Sequence, residues 1–252
     1  MRRLVDTHAH LSDLEDKEGV AQRARKEGVD AIIAVGANLT TSRATMAWAE
    51  TCPGYVYPAL GIHPTEWAED RIPDTIQYIR DNMNESVAIG EIGLDYWDRK
   101  ARRNKDVREK QRQIYARMLE IAREYDKPVS VHGRGSWRDA LELASEHGPE
   151  WAVFHWYSGS IDVLGGILDH GYFISATPAA EYSRDHRAAL AQAPLDRIVI
   201  ETDAPVYMRN RDRNSEPSDL HITVRALARL KDTAEDEIAR VTTKNAERIF
   251  GI

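Results

Sequence analysis

Eight short apolar runs, helical spacing in the segments between them and a length of 252 residues predict an α/β chain folded as one (β/α)8 TIM barrel. The runs cover residues 4–8, 31–36, 56–61, 87–91, 129–132, 152–155, 172–176 and 198–202. Most are apolar nearly throughout, as in Ala31-Ile32-Ile33-Ala34-Val35, a pattern suited to parallel strands covered on both faces. A doubly wound open sheet shares the alternation. A count of eight favours closure, which also removes exposed strand edges.

The clearest helix is expected over about 105–125, where Val107, Gln111, Ile114, Met118, Ile121 and Tyr125 form a stripe at helical spacing. Ser136-Trp137-Arg138-Asp139 reads as a capping-box-like start for a helix through 145, ended by Gly148 and Pro149. Thr233 and Asp236 open a last helix with Ile238, Val241, Asn245 and Ile249 on one face and Gly251 past its end. No linker or low-complexity tract interrupts the series, so residues 1–252 are expected to form a single domain.

Cys52 is the only cysteine, so no intramolecular disulfide is possible, which fits a reducing compartment. No apolar run reaches signal-peptide or membrane-spanning length, so a cytoplasmic chain without membrane contact is expected. The sequence leaves self-association open and is compatible with a monomer. The net charge of −7 argues against general affinity for nucleic acid. Two basic clusters stand out from this acidic body. Residues 99–112 hold eight Lys/Arg against Asp106 and Glu109, and a smaller group comprises Arg209, Arg211 and Arg213 with Asp212.

The chemistry-bearing residues fall at one end of the runs. His8 and His10 close the first, and residues two apart on a strand share a face. His63 follows the third, Glu91 closes the fourth, His132 the fifth and His155 the sixth, and Asp203 follows the eighth. In a barrel all C-terminal strand ends share the face that carries the active site. Each residue alone has an ordinary structural role open to it, Glu91 as a helix cap and Asp203 in a turn before Pro205. Together they make a ligand set.

Four histidines and two carboxylates exceed the needs of one tetrahedral ion. They divide into His8, His10 and Asp203 for one divalent cation and His132 and His155 for a second, with Glu91 between them. Such a pair serves metal-assisted hydrolysis, with Asp203 as general base. His63 lies on the same face outside both groups, placed to hold a phosphate oxygen or to donate a proton to a leaving group. His147, His170, His186 and His221 fall in helices or at helix ends and are expected at the surface.

The motifs Asp6-Thr7-His8-Ala9-His10-Leu11, Gly61-Ile62-His63-Pro64, Gly90-Glu91-Ile92-Gly93-Leu94-Asp95, Pro128-Val129-Ser130-Val131-His132 and Glu201-Thr202-Asp203-Ala204-Pro205 resemble those of the TatD-related deoxyribonucleases. These are TIM-barrel hydrolases of the metal-dependent amidohydrolase superfamily. The resemblance covers essentially the whole chain. It implies metal-dependent hydrolysis of DNA phosphodiester bonds, often exonucleolytic from the 3′ end, with magnesium, manganese or zinc. It also implies His8, His10, Glu91, His132, His155 and Asp203 as ligands and His63 as a phosphate-side group. Two stretches depart from the family pattern and bear on pocket shape. Trp156-Tyr157-Ser158-Gly159 stands where relatives often have Cys-Phe-Ser-Gly, and Gly133-Arg134-Gly135-Ser136-Trp137 follows His132.

Arg134 is placed to reach a phosphate, and Tyr96, Trp97, Trp156 and Tyr157 are expected on the rim, where rings stack unpaired bases. The leading expectation is a two-metal 3′–5′ exonuclease acting on single-stranded DNA ends. The same metal pair would serve ester or amide hydrolysis, such as removal of a D-amino acid from charged tRNA. A barrel retained as a scaffold in nucleic-acid metabolism is the non-catalytic alternative.

Overall fold

In the computed structural model, which describes residues 3–67, 71–208 and 210–252, the apolar runs become eight parallel strands in sequential order. They are β1 (Leu4–Ala9), β2 (Val29–Val35), β3 (Val56–Leu60), β4 (Ala88–Asp95), β5 (Val129–Arg134), β6 (Ala152–Phe154), β7 (Phe173–Ala176) and β8 (Ile198–Ile200). Helices follow them in turn: α1 (Lys17–Lys26), α2 (Leu39–Thr51), α3 (Ile72–Asp81), α4 (Lys105–Glu124), α5 (Trp137–His147), α6 (Ile161–Asp169), α7 (Arg184–Gln192) and α8 (Leu220–Lys231). A further helix, α9 (Glu235–Phe250), packs on β1 and β8. This is the expected (β/α)8 TIM barrel.

Among the described residues, backbone closure between β1 and β8 is made at the C-terminal ends of the strands. Asp203 N–H donates to the His8 carbonyl (3.0 Å), and His10 N–H donates to the Ala204 carbonyl (2.7 Å). The Thr7 hydroxyl donates to the Ile200 carbonyl (3.0 Å). Asp6 accepts from both the N–H and the hydroxyl of Thr202 (2.9 and 2.5 Å). The seam therefore runs directly beneath the histidines of β1 and Asp203.

Val5, Ile33, Val35, Ala59, Val153, Phe173 and Val199 form one buried cluster drawn from six strands, which places them in the barrel interior. Ile249 and Phe250 of α9 join this cluster and stop its lower end. A larger cluster, including Leu60, Ile89, Met118, Leu119 and Ile167, lies between the sheet and the helices. Burying one such side chain fully is worth ~1.5–3 kcal/mol. Side chains alternate along a strand, so residues two beyond interior ones face the barrel mouth. His155 follows Val153 in this way, Ser175 follows Phe173 and Glu201 follows Val199. On β1 the pairing with β2 slips between Asp6 and Ala9.

Several local expectations are corrected. Ser136 precedes α5 but does not cap it; its hydroxyl donates to the Leu94 carbonyl (2.6 Å), tying α5 to β4. Thr233 gives its hydroxyl to the Lys231 carbonyl, and α9 starts at Glu235 without a side-chain cap. A hairpin of β9 (Tyr207–Met208) and β10 (Arg213–Asn214) follows β8, too short for any periodic signal. His186 is fully buried, with both ring nitrogens occupied, because α7 turns that face onto the barrel.

Candidate metal centre

β4 extends past Glu91 to Asp95 because glycine lets it run tightly along β5. Gly93, at φ +145°, passes His132 so closely that a Cβ would lie 2.1 Å from the His132 carbonyl oxygen. Glu91 is thereby set among five imidazoles. Its Oε1 lies 2.7 Å from His132 Nδ1, 2.8 Å from His155 Nε2 and 3.7 Å from His63 Nε2. Its Oε2 lies 3.3 Å from His10 Nε2 and 3.6 Å from His8 Nε2. Asp203 closes the second group, with Oδ1 3.5 Å from His10 Nε2 and 3.7 Å from His8 Nε2.

All seven residues named at the strand ends meet at this point. The donor chemistry fits divalent cations on two observations. His8 Nε2 is buried without a hydrogen-bond partner between the two carboxylates. His132 Nδ1 and His155 Nε2 sit 3.4 Å apart around one carboxylate oxygen. Converging nitrogens of this kind are what borderline first-row cations take as ligands.

The electrostatics point the same way. Burial would raise the Glu91 carboxyl, but His63, His155, His10 and His132 hold it well below the ordinary carboxylate range. Burial opposes protonation of His10, yet Asp203 and Glu91 push its imidazole up to about 10. The same two carboxylates that would attract a cation attract a proton in its place. His63 is different: burial takes it down to about 3 against the pull of Glu91. Thr65 N–H donates to His63 Nδ1 (3.2 Å), so the proton of the neutral ring sits on Nε2 and faces the centre.

The centre opens into a cleft of about 510 Å³ lined by His10, His63, Glu91, His132, Arg134, Trp156 and Asp203, among others. A larger depression beside Arg3 and α9 is lined by charged and small residues and contains no histidine. Trp156 sits at φ +43°, a conformation few non-glycine residues adopt. Its N–H is held by Ser175 Oγ (2.7 Å) and Glu201 Oε1 (3.0 Å).

The substrate contacts expected from sequence fare unevenly. Trp156 and Arg134 line the cleft, but Arg134 is clamped by Asp95, with Nε and Nη2 on its oxygens at 2.6–3.1 Å. Tyr157 is not on the rim. It is fully buried against Trp137, its hydroxyl donating to the Ser160 carbonyl (2.7 Å), so its ring cannot meet a base. The hydroxyl of Tyr96 is committed to Asp139 (2.7 Å), while Trp97 is exposed. In the smaller basic cluster, Arg211 pairs with Glu181 (2.8 Å) and Arg213 with Asp219 (2.5 Å), and Arg209 lies outside the described residues.

Four supporting residues stand in the motifs quoted above without a role assigned from sequence: Asp6, Asp95, Ser130 and Glu201. Ser130 Oγ meets His8 Nδ1 (2.9 Å), and Glu201 Oε1 lies 3.3 Å from His155 Nδ1. Burial pushes the Asp6 carboxyl up to about 8 despite its bonds from Thr202. Their signal is a polar residue inside or beside an apolar run, close in sequence to a ligand-type residue. No helix among the described residues is long and apolar enough to cross a membrane.

Residues 5–251 match the family model described as TatD related DNase. The chain is 32% identical over 259 residues to the human deoxyribonuclease TATDN3, covering 98% of this chain and 94% of that one. It is 31% identical over 261 residues to the uncharacterized metal-dependent hydrolase YabD of Bacillus subtilis (strain 168), with 99% of each covered. Among solved structures, YJJV, a TatD homolog from Escherichia coli K12, matches with a TM-score of 0.89 at 27% identity, covering 99% of this chain and 98% of that one.

Proposed function

The chain belongs to the family of TatD-related DNases, metal-dependent hydrolases, and from that premise we propose that it hydrolyses phosphodiester bonds of DNA from the 3′ ends of single strands. Two divalent cations, magnesium, manganese or zinc, are the proposed cofactors. One observation carries the reading: the two oxygens of Glu91 face separate pairs of imidazoles, His8 with His10 and His132 with His155. A carboxylate so divided suits a bridging role, with Asp203 completing the first group. When bound, the cations supply Lewis acidity toward phosphoryl oxygens and toward a water molecule.

The remaining work falls to the chain's own groups. Asp203, at the edge of the cleft, takes the proton of the attacking water. His63, neutral, presents Nε2–H as a hydrogen-bond donor to a phosphoryl oxygen or to the departing oxygen, and the proton that lets that oxygen leave as an alcohol comes from Asp203 or from solvent. Asp95 engages Nε and Nη2 of Arg134, which leaves Nη1 for a non-bridging oxygen. Trp156 supplies a face for the terminal base. A cleft of this size takes a terminal nucleotide more readily than the flank of a duplex.

The test strips the protein with a chelator, reloads it with each of the three metals, and follows an end-labelled single strand. Progressive shortening from the 3′ end is expected. No shortening with any metal refutes the reading, and turnover of an aminoacyl-tRNA instead would move the same donor set to an ester substrate.

A further inference from the structure

The loop between β4 and α4 carries dense positive charge on a framework that is tied down throughout. Asp95 accepts from the N–H groups of Trp97 (3.0 Å) and Asp98 (2.9 Å), and the same carboxylate holds Arg134. Asp98 accepts from the N–H groups of Lys100 (2.7 Å) and Ala101 (3.1 Å). Arg108 stacks over Tyr96, 4.9 Å from the ring centre, and donates to the carbonyls of Ala101 (2.8 Å) and Arg102 (3.1 Å). From this framework Arg99, Arg102 and Arg103 project into solvent, with no acidic partner among the described residues.

Trp97 adds an aromatic face. The residue is 67% exposed, yet its ring is seated on Gly135 so closely that a Cβ there would lie 2.4 Å from Nε1. Gly135 follows Arg134, which lines the cleft. Cleft and exposed indole are therefore adjacent at the barrel mouth, and Arg99, Arg102 and Arg103 follow Trp97 in the same loop.

We propose that this loop is a second subsite for the nucleic-acid strand, a proposal that rests on DNA hydrolysis in the cleft and extends it. Trp97 stacks one unpaired base of a strand whose end occupies the cleft, and Arg99, Arg102 and Arg103 neutralise backbone phosphates beyond it. Charge complementarity selects the occupant. The chain as a whole carries −7, so a polyanion is repelled by most of the surface and drawn to such a strip. Stacking on an exposed indole needs a free base face, which a single strand offers and a duplex hides.

The test uses the metal-loaded full chain and a labelled, cleavage-resistant phosphorothioate thymidine strand of about 15 nucleotides, near the upper length one site of this kind covers. The triple variant Arg99→Ala, Arg102→Ala, Arg103→Ala should weaken binding and lower the slope of log Kd against log salt by about 2, at ~0.7 for each phosphate of a single strand left without its guanidinium. Trp97→Ala should lose at least about fivefold in affinity, with part restored by Trp97→Phe. With cleavable substrates, the triple variant should raise KM for the long strand relative to a dinucleotide. Unchanged affinity and salt slope in the triple variant overturn the subsite, as does Trp97→Ala binding like the parent. If the strand binds as described but no metal supports its cleavage, the subsite stands and the hydrolytic reading falls. If instead the strand is cleaved equally well by the parent and by every loop variant, hydrolysis stands and the subsite falls.

Discussion

The ring of His8 stacks face to face on that of His155, with centroids 4.1 Å apart and planes 8° apart. The two rings present Nε2 to opposite oxygens of Glu91. Their other nitrogens go to different buried supports, His8 Nδ1 to Ser130 and His155 Nδ1 to Glu201. One carboxylate is thus addressed from both sides by a rigid pair.

Ser130 is the support most open to test. For His8 Nε2 to present a lone pair to a cation, Nδ1 must carry the proton and donate it to Ser130 Oγ. Ser130→Ala should lower metal affinity about 10- to 100-fold. Metal content after dialysis against a graded chelator series checks this. Retention equal to the parent would remove Ser130 from the centre.

Glu91→Gln keeps the shape of the side chain and removes the charge that faces both pairs of imidazoles. Several kcal/mol of charge stabilisation should go with it, a loss of activity of about a hundredfold or more. Bound metal should fall while the far-ultraviolet circular dichroism stays that of the parent. A fully active Gln variant would contradict the bridging role.

His186 makes stability depend on pH. Its Nδ1–H donates to the Tyr157 carbonyl (2.7 Å) and its Nε2 accepts from Thr177 N–H (3.2 Å), which fixes the neutral ring. Burial lowers its pKa from 6.5 to about 4. The unfolded chain therefore takes up a proton that the folded chain refuses between these values. The contribution is complete above pH 6.5 and is lost as pH falls toward 4, by up to about 3 kcal/mol. Urea midpoints should drop less between about pH 7.5 and about pH 5 in His186→Gln than in the parent. Equal drops would show that His186 titrates normally.

Phe173 lies wholly inside the barrel, against Trp151 and among the residues that α9 closes over. Phe173→Ala should cost about 3–5 kcal/mol through lost burial and the cavity left behind. Equilibrium unfolding in urea measures it. A cost below about 1 kcal/mol would mean that the interior collapses around the gap.

The (β/α)8 order and the metal-type residues at the strand ends were legible because both depend on short-range periodicity. A strand covered on both faces must be apolar, and its C-terminal end in a barrel faces the common mouth, so His132 and His155 could be placed from their runs alone. Tyr157 and His186 were misplaced for the opposite reason. Each is buried by elements remote in the chain, Tyr157 by Trp137 and His186 by residues following β6 and β7.

What the amino-acid order determined by itself was which groups were offered: imidazoles and carboxylates at the ends of six of the eight apolar runs. What only the tertiary structure decided was which atoms meet. The division of Glu91 between imidazoles from β1, β5 and the end of β6, the clamp of Asp95 on Arg134 and the seat of Trp97 on Gly135 each join residues from different strands and loops. Distances of 2.6–3.7 Å between side chains on different strands follow from strand stagger and close glycine contacts, which no local pattern encodes.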